Sequence, residues 1–183
     1  NEEKNLQSLV GKIQEIKQNN QNINLEFILV NDGSTDQTSA KLFELNNDNI
    51  YSIVDLKKNR GYGGSIQEGL KKSKGEIVSW THSDLQCDIN DILIVYNLHK
   101  SKLLNGDCIV KGKRINRKLI DSFFSNSMAI LASILFNKKF REINAQPKVF
   151  SKNLLKEFYN APKDFSLDLY LLYISKLKSK FFE

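Results

Sequence analysis

The chain has 183 residues, of which 40% are hydrophobic and 26% charged, and its formal net charge is +6. This length and apolar content predict one globular domain with a buried core. The basic residues are spread over many segments, so their charge indicates a general attraction to anions and excludes a dedicated arginine-rich arm. Cys87 and Cys108 lack C-x-x-C spacing, which argues against a zinc knuckle or a disulfide framework and favours a reducing compartment.

The first half of the chain alternates predicted strands and helices. It opens on a helix-like segment that lacks both the apolar core of a signal peptide and the strand that normally precedes such a helix. We predict strands at residues 25–30, 50–54, 76–80 and 107–110, and helices at residues 38–45, 65–73 and 90–104, the last capped by Asp88. This order predicts an α/β fold with a largely parallel, mixed central sheet and helices on both faces.

The second half of the chain is less regular. Residues 119–136 are rich in apolar side chains, but interspersed aspartate, asparagine and serine residues make the segment too polar to span a bilayer. A buried core helix is the default prediction. A helix in a membrane interface is the alternative, because basic residues flank the segment: Arg114, Arg117, Lys118, Lys138 and Lys139. The chain stops directly after an apolar run, so we expect a fragment whose first strand and C-terminus are truncated.

A polar turn with the sequence NDGSTD follows the first predicted strand at residues 31–36. Its small residues are typical of a tight turn into a helix. Asp32 would also lie at the carboxyl end of a strand, where a free carboxylate can accept hydrogen bonds from a ribose or a base. The turn is therefore compatible with a purely structural role and with a nucleotide site.

A glycine-rich loop, NRGYGGS at residues 59–65, follows the second predicted strand and opens a helix. Its backbone amides and Arg60 are of the kind that bind phosphate oxygens. The loop lacks the third glycine of G-x-G-x-x-G and the G-K-[ST] ending of a P-loop, so a plain glycine turn is the alternative.

The segment WTHSDLQ at residues 80–86 ends the strand predicted at 76–80. Ligands of open α/β sheets bind outside the carboxyl ends of the strands. Asp84 and Gln86 supply oxygen ligands at i and i+2 for one hard divalent cation, and His82 offers an imidazole nitrogen. The structural alternative makes Asp84 a loop acid and Asp88 a helix N-cap.

Taken in order, these segments resemble the family 2 glycosyltransferases of the GT-A fold. Residues 1–2 resemble the end of that family's Y-N-E element, residues 31–36 its D-D-G-S-x-D turn, and residues 59–64 its N-x-G loop. Residues 84–86 match the end of its D-A-D-L-Q metal motif, with His82 in place of the first aspartate. Residues 111–117 (KGKRINR) resemble the G-x-R-x-x-R segment of the subgroup that glycosylates polyprenyl or dolichyl phosphates.

The resemblance implies one catalytic domain over residues 1–183, with a nucleotide-sugar-binding part at 1–110 and an acceptor part at 111–183. The donor site would consist of Glu2, Asp32, Asn59, Arg60, Ser83 and Asp84. Asp84 and Gln86 would bind Mg²⁺ or Mn²⁺, with His82 either as a further ligand or as a loop residue that hydrogen-bonds the nucleotide. The acceptor site for an acidic lipid would consist of Arg114, Arg117 and Lys148, and the catalytic groups would be Asp84, Arg114 and Glu142.

The sequence leaves the catalytic base open. A hydroxyl acceptor needs a carboxylate to take its proton, whereas a phosphate acceptor is already an anion and needs none. Residues 141–148 (REINAQPK) replace the family's usual acidic segment, so Glu142 is the nearest candidate acid, with Asp164 and Asp168 as alternatives. Lys148 could instead bind phosphate, which fits a lipid-phosphate acceptor.

By this resemblance we expect an inverting, metal-assisted transfer of a sugar from a nucleotide sugar to a polyprenyl or dolichyl phosphate. The alternatives are transfer to a saccharide hydroxyl, a different nucleotide-binding α/β enzyme, and a non-catalytic nucleotide-binding relative. We expect a cytoplasmic protein without a nucleic-acid partner, with peripheral association at the cytoplasmic face of a membrane as an option.

Overall fold

The computed structural model describes residues 1–106, 108–114, 119–177 and 181–182. The helices are α1 (Leu6–Asn19), α2 (Thr38–Glu44), α3 (Tyr62–Lys72), α4 (Asn90–Leu104), α5 (Leu119–Leu135) and α6 (Leu167–Leu177). The strands are β1 (Ile28–Asp32), β2 (Ser52–Leu56), β3 (Ile77–Trp80), β4 (Cys108–Lys111), β5 (Lys148–Ser151) and β6 (Phe181–Phe182). A 3₁₀ segment, Lys152–Asn160, connects β5 to α6. Arg117 lies outside the described residues, so its acceptor role remains a prediction.

The described strands form two sheets. β1 and β2 pair in parallel, whereas β3, β5, β4 and β6 form a second sheet in that order. β5 runs antiparallel to both β3 and β4, and β4 runs parallel to β6. The α/β class and the mixed strand directions are confirmed. The predicted single central sheet is divided, and β5 is a strand that the sequence patterns did not indicate.

A cavity of about 690 Å³ lies between the two sheets. Residues 28–30 of β1 and 77–80 of β3 both line it, so an edge of one sheet faces an edge of the other. Such edges present backbone N–H and C=O groups that a further strand can pair with.

Two apolar clusters account for most of the packing that positions the strand ends. α1 buries one face at helical spacing against Leu42 and Tyr51, through Leu6, Leu9, Val10, Ile13 and Ile16. The second cluster packs α6 and the 3₁₀ segment against β3 and β5, where the Trp80 and Phe150 rings meet edge to face at 5.5 Å. Together these clusters hold β1, β2 and β3 with their following loops close to one another.

The structure of α5 differs from the buried core helix predicted for residues 119–136. Its buried side chains include the small residues Ala129 and Ala132, which pack with Leu172 of α6. Ile130 and Ile134 on the same helix are 61% and 72% exposed. The prediction of a buried core helix is therefore wrong for this face, because apolar content does not specify which face finds a partner. None of the helices in the described part of the chain is long and apolar enough to cross a membrane.

Candidate functional site

The loops that follow β1 and β2 contact each other directly. The Asp32 carboxylate, at the end of β1, accepts a hydrogen bond from the backbone N–H of Arg60 at 2.7 Å. Gly33 has φ +66°, and a Cβ there would lie 2.6 Å from the backbone nitrogen of Asn59. A residue other than glycine would therefore force the two loops apart. The structure thus brings together three of the residues predicted for the donor site, Asp32, Asn59 and Arg60.

The first residues of the chain pack against the same loop. The Glu2 backbone N–H donates to the Thr38 hydroxyl at 2.8 Å, and its carboxylate accepts from the Asn5 side chain at 2.6 Å. The Asn1 side chain accepts from the backbone N–H of Thr35 at 2.8 Å. Glu2 and the turn after β1 consequently lie at the same end of the first sheet, as the donor-site prediction requires.

The Arg60 side chain forms an ion pair at the protein surface. Its guanidinium lies 3.0 Å from the Glu68 carboxylate of α3, which also binds Lys71 at 2.8 Å. The Arg60 side chain is 55% exposed, so this pair is screened by solvent. A phosphate would have to compete with Glu68 for Arg60.

The glycine-rich loop is a packing element. The Gly64 N–H donates to the Lys163 carbonyl at 2.9 Å, and a Cβ on Gly63 would lie 2.5 Å from the Pro162 carbonyl oxygen. The Gly61 N–H donates to the Asn59 side chain at 2.9 Å. These amides are occupied, so the idea that they cradle a phosphate is wrong for Gly61 and Gly64. The glycines instead allow the start of α3 to approach the segment that precedes α6.

The loop after β3 carries the predicted metal ligands. The Asp84 carboxylate accepts from the Gln86 backbone N–H at 3.0 Å, and Leu85 between them adopts φ +62°. Asp84 is half-buried, whereas His82 and Gln86 are exposed. Among the described residues, no group of three or more His, Cys, Asp or Glu side chains is placed to hold a metal ion.

The side chains of this loop nevertheless suit a divalent cation that needs few protein ligands, such as Mg²⁺. Mg²⁺ is often held by one or two carboxylates together with waters and substrate phosphates, without a complete protein cage. Asp84 can serve as that single carboxylate, since the turn fixes the position of its Oδ1. The centroid of the His82 ring lies 5.7 Å from that of the Tyr62 ring. This contact fits the role of a loop residue beside the site at least as well as that of a metal ligand.

A buried ion pair lies beneath the site. The Lys148 ammonium is 2.7 Å from Oδ1 of Asp168, and the two side chains are 0% and 2% exposed. The Lys148 ammonium also donates to the Ala145 carbonyl at 3.0 Å. Burial lowers the pKa of Lys148, while the Asp168 charge opposes this effect. The prediction that Lys148 binds an acceptor phosphate is wrong, because the ammonium is enclosed and already neutralised.

Tyr62 connects this ion pair to the glycine-rich loop. Its hydroxyl donates to Oδ2 of Asp168 at 3.1 Å and lies 3.0 Å from the Gln146 amide. Its ring stacks on Phe165 at 4.7 Å, and Phe165 is 68% exposed. Burial raises the pKa of Tyr62 and the Asp168 charge raises it further, so the phenol stays protonated. Sequence reasoning missed Tyr62, although an aromatic residue among glycines was an available signal.

A second ion pair lies at the end of β4. The Arg114 Nε is 3.0 Å from Oε2 of Glu142, and these side chains are 32% and 21% exposed. Glu142 has φ +46°, a left-handed conformation that is uncommon outside glycine. Lys111 is half-buried nearby, and burial lowers its pKa, with the Glu142 charge opposing this. The predicted catalytic groups Arg114 and Glu142 are therefore brought together, with Lys111 as a cation that sequence reasoning missed.

The two ion pairs are held next to each other by a tight backbone contact. The Gly112 N–H donates to the Pro147 carbonyl at 2.9 Å, and a Cβ on Gly112 would overlap the Gln146 carbonyl oxygen. Asp164, the remaining candidate acid, accepts from both the backbone N–H and the hydroxyl of Ser166, and these hydrogen bonds lower its pKa. Each candidate base thus has partners that stabilise its charged form.

The chain is similar in sequence to known enzymes. Residues 1–119 match the family model described as glycosyl transferase family 2. The poly-β-1,6-N-acetyl-D-glucosamine synthase of Staphylococcus epidermidis is 35% identical over 63 residues, which are 34% of this chain. The match covers 15% of that synthase, so the matched segment is a small part of both chains.

Solved structures show the same fold at low sequence identity. A mycobacterial protein superposes with a TM-score of 0.72 and 19% identity, over 100% of this chain and 61% of that one. The mannosyltransferase PcManGT from Pyrobaculum calidifontis, solved with GDP-Man and Mn²⁺, gives a TM-score of 0.57 and 20% identity over 94% of this chain and 50% of that one. Since the family model matches well over half of the chain, the chain belongs to glycosyl transferase family 2.

Proposed function

We propose that this chain is the catalytic part of an inverting glycosyltransferase that moves a sugar from a nucleotide sugar to a polyprenyl or dolichyl phosphate. The observation that carries the acceptor assignment is that each of the three candidate bases is stabilised in its charged form. Asp168 is neutralised by Lys148 and Glu142 by Arg114, while hydrogen bonds lower the pKa of Asp164. A hydroxyl acceptor requires a base with a free carboxylate, whereas a phosphate acceptor arrives as an anion.

The donor would bind at the ends of β1 and β2. Asp32 and Glu2 are half-buried carboxylates on one side of the first sheet, suited to accept hydrogen bonds from ribose hydroxyls or a base. Asn59, in the loop that contacts Asp32, and Ser83, in the loop after β3, are exposed polar residues that would complete this site. The solved mannosyltransferase of the same fold was captured with GDP-Man and Mn²⁺, which supports a nucleotide-sugar donor and a divalent cation for this chain.

Asp84, assisted by Gln86, would hold Mg²⁺ or Mn²⁺ against the donor diphosphate. When bound, such a cation neutralises the charge that develops on the leaving diphosphate. The role of the chain is to fix the carboxylate: the hydrogen bond from the Gln86 N–H orients Asp84 before the donor arrives. His82 would contribute by packing on Tyr62 and bordering the nucleotide.

Arg114 and Lys111 would receive the acceptor phosphate. Arg114 is a third exposed and bonds Glu142 through Nε, and a guanidinium has further N–H donors able to bind phosphate oxygens. Lys111 adds a second cation at the end of β4. Glu142 would hold the Arg114 guanidinium in its orientation. It would act as a positioning residue and not as a base, because a phosphate acceptor needs no proton removed.

Transfer assays on the purified protein test this proposal. A panel of nucleotide sugars is combined with a polyprenyl phosphate or with soluble saccharides, with and without Mg²⁺ or Mn²⁺, and the Asp84→Asn variant serves as the inactive control. We expect metal-dependent transfer to the lipid phosphate. Transfer confined to saccharide hydroxyls would refute the acceptor assignment, and nucleotide binding without any transfer would identify a non-catalytic relative.

A further inference from the structure

Over residues 126–135, where side chains are described, the exposed side of α5 is more apolar than its buried side. The large apolar side chains of this part of the helix are exposed over 41–72% of their surface: Met128, Ile130, Leu131, Ile134 and Leu135. The residues between them, Ala129 and Ala132, are the ones that contact α6. This distribution is the reverse of an ordinary surface helix, whose larger apolar side chains face the core.

These side chains form one continuous surface. Ile130 and Ile134 are one helical turn apart, and Met128, Leu131 and Leu135 follow the same face at spacings of three and four. The opposite side is anchored, because Ala129 and Ala132 pack with Leu172 of α6. This packing holds the helix with its apolar face outward. A contiguous apolar patch of this kind marks an interaction site.

The charges beside this face identify the partner. Residues 126–141 contain Lys138, Lys139 and Arg141 and no acidic residue. All three basic residues are exposed and directly follow the helix. The next residue, Glu142, is paired with Arg114, so the remaining charges at the end of the helix are basic. An apolar helix face of this kind matches an anionic bilayer surface, where the apolar side chains enter the acyl boundary and the cations meet the headgroups.

We propose that the exposed face of α5, together with Lys138, Lys139 and Arg141, docks on the surface of an anionic membrane. The helix would lie in the plane of the interface, without crossing the bilayer. α5 follows the segment that contains Arg114, so docking would bring the acceptor end of the site to the headgroup level. The biological purpose of this docking rests on the proposed function. The docking itself is a binding property, and it can be measured without any sugar transfer.

Vesicle co-sedimentation of the whole protein tests the proposal. The probes are vesicles of phosphatidylcholine alone and of phosphatidylcholine mixed with phosphatidylglycerol. We expect binding to the mixed vesicles that weakens with salt, because exposed charges are screened. Lys138→Ala with Lys139→Ala should reduce the partition coefficient roughly 30-fold at low salt, since each cation near an anionic surface contributes about a fivefold effect.

A matched pair of double variants separates α5 from general surface hydrophobicity. Ile130→Asn with Ile134→Asn changes residues that are 61% and 72% exposed, one turn apart on α5. Ile94→Asn with Leu98→Asn changes residues that are 55% and 72% exposed, one turn apart on α4. We expect the α5 variant to lose at least roughly tenfold in partitioning and the α4 variant to bind like the wild type. Thermal melts of both variants confirm that they are folded.

Three results would overturn the proposal. The first is no binding of the wild type to anionic vesicles at low salt. The second is an equal loss in the α4 and α5 variants. The third is a concentration-dependent dimer, seen by analytical ultracentrifugation, that the α5 variant abolishes, since this would make a second copy the occupant of the face. Vesicle binding without sugar transfer would leave the docking surface intact and refute the proposed function alone.

Discussion

Replacing Lys148 by methionine tests whether the buried ion pair supports the fold or binds substrate. Methionine approximates the length of the lysine stem, so the main loss is the charge. Asp168, which is 2% exposed, would then remain buried with Tyr62 as a hydrogen-bond donor but without its cation. Removing one partner of a buried ion pair costs about 3–5 kcal/mol. For a domain of this size, that loss corresponds to a decrease in the melting temperature of roughly 6–20 °C.

The stabilities of the variants at the two ends of this ion pair should depend differently on pH. In Asp168→Asn the opposing charge is gone, and burial keeps the pKa of Lys148 in the folded state below its ordinary value of 10.5. Between the two pKa values the unfolded chain binds more protons than the folded one, so the free energy of unfolding rises with pH in that window. Asp168→Asn should therefore regain stability as the pH approaches 10.5, whereas Lys148→Met, which has no ammonium to deprotonate, should not.

Urea unfolding across this pH range measures both effects, with Lys113→Met as the control because Lys113 is an exposed lysine in the same region. The control should unfold like the wild type. If Lys148→Met has wild-type stability but a raised KM for a lipid phosphate, Lys148 is a substrate ligand and the account of the buried pair is refuted.

Three further predictions concern the site itself. Asp84→Asn should decrease metal-dependent turnover far more than His82→Ala, because it removes the carboxylate that holds the cation; equal losses in Mn²⁺ titrations would make His82 a true ligand. Arg114→Ala should raise the KM for a polyprenyl phosphate and leave nucleotide affinity, measured by calorimetry, nearly unchanged, with lysine only partly restoring function; loss of nucleotide binding would contradict the acceptor role. The folded-state pKa of Tyr62 is raised above its ordinary value of 10.0, so its contribution to stability is complete below pH 10 and is lost as the pH rises toward the folded-state value. Tyr62→Phe should remove this alkaline loss in urea unfolding measured on either side of pH 10, and an unchanged pH profile would contradict the assigned network.

Several elements followed from local patterns. The helix predicted at residues 90–104 forms as α4, but its N-cap residue is Ile89 and not Asp88 as predicted. The Asp88 carboxylate accepts a hydrogen bond from the Asn90 N–H at 3.0 Å from one position further out. The polar turns after β1 and β3 lie where the alternation of strands and helices predicted them. Helical spacing, capping and turn residues act over a few positions, and this is why the sequence could indicate them.

The sequence by itself determined the α/β class, the order of the first strands and helices, and the position of Asp32 and Asp84 at strand ends. Tertiary structure alone decided that Lys148 of β5 is enclosed, because its partner Asp168 belongs to α6, a distant element of the chain. It also decided that Tyr62 reaches Asp168, a hydrogen bond between residues 106 positions apart. The exposed face of α5 depends in the same way on where α6 packs. A one-dimensional pattern records how apolar or charged a residue is, but its accessibility and charge partners depend on distant segments of the chain.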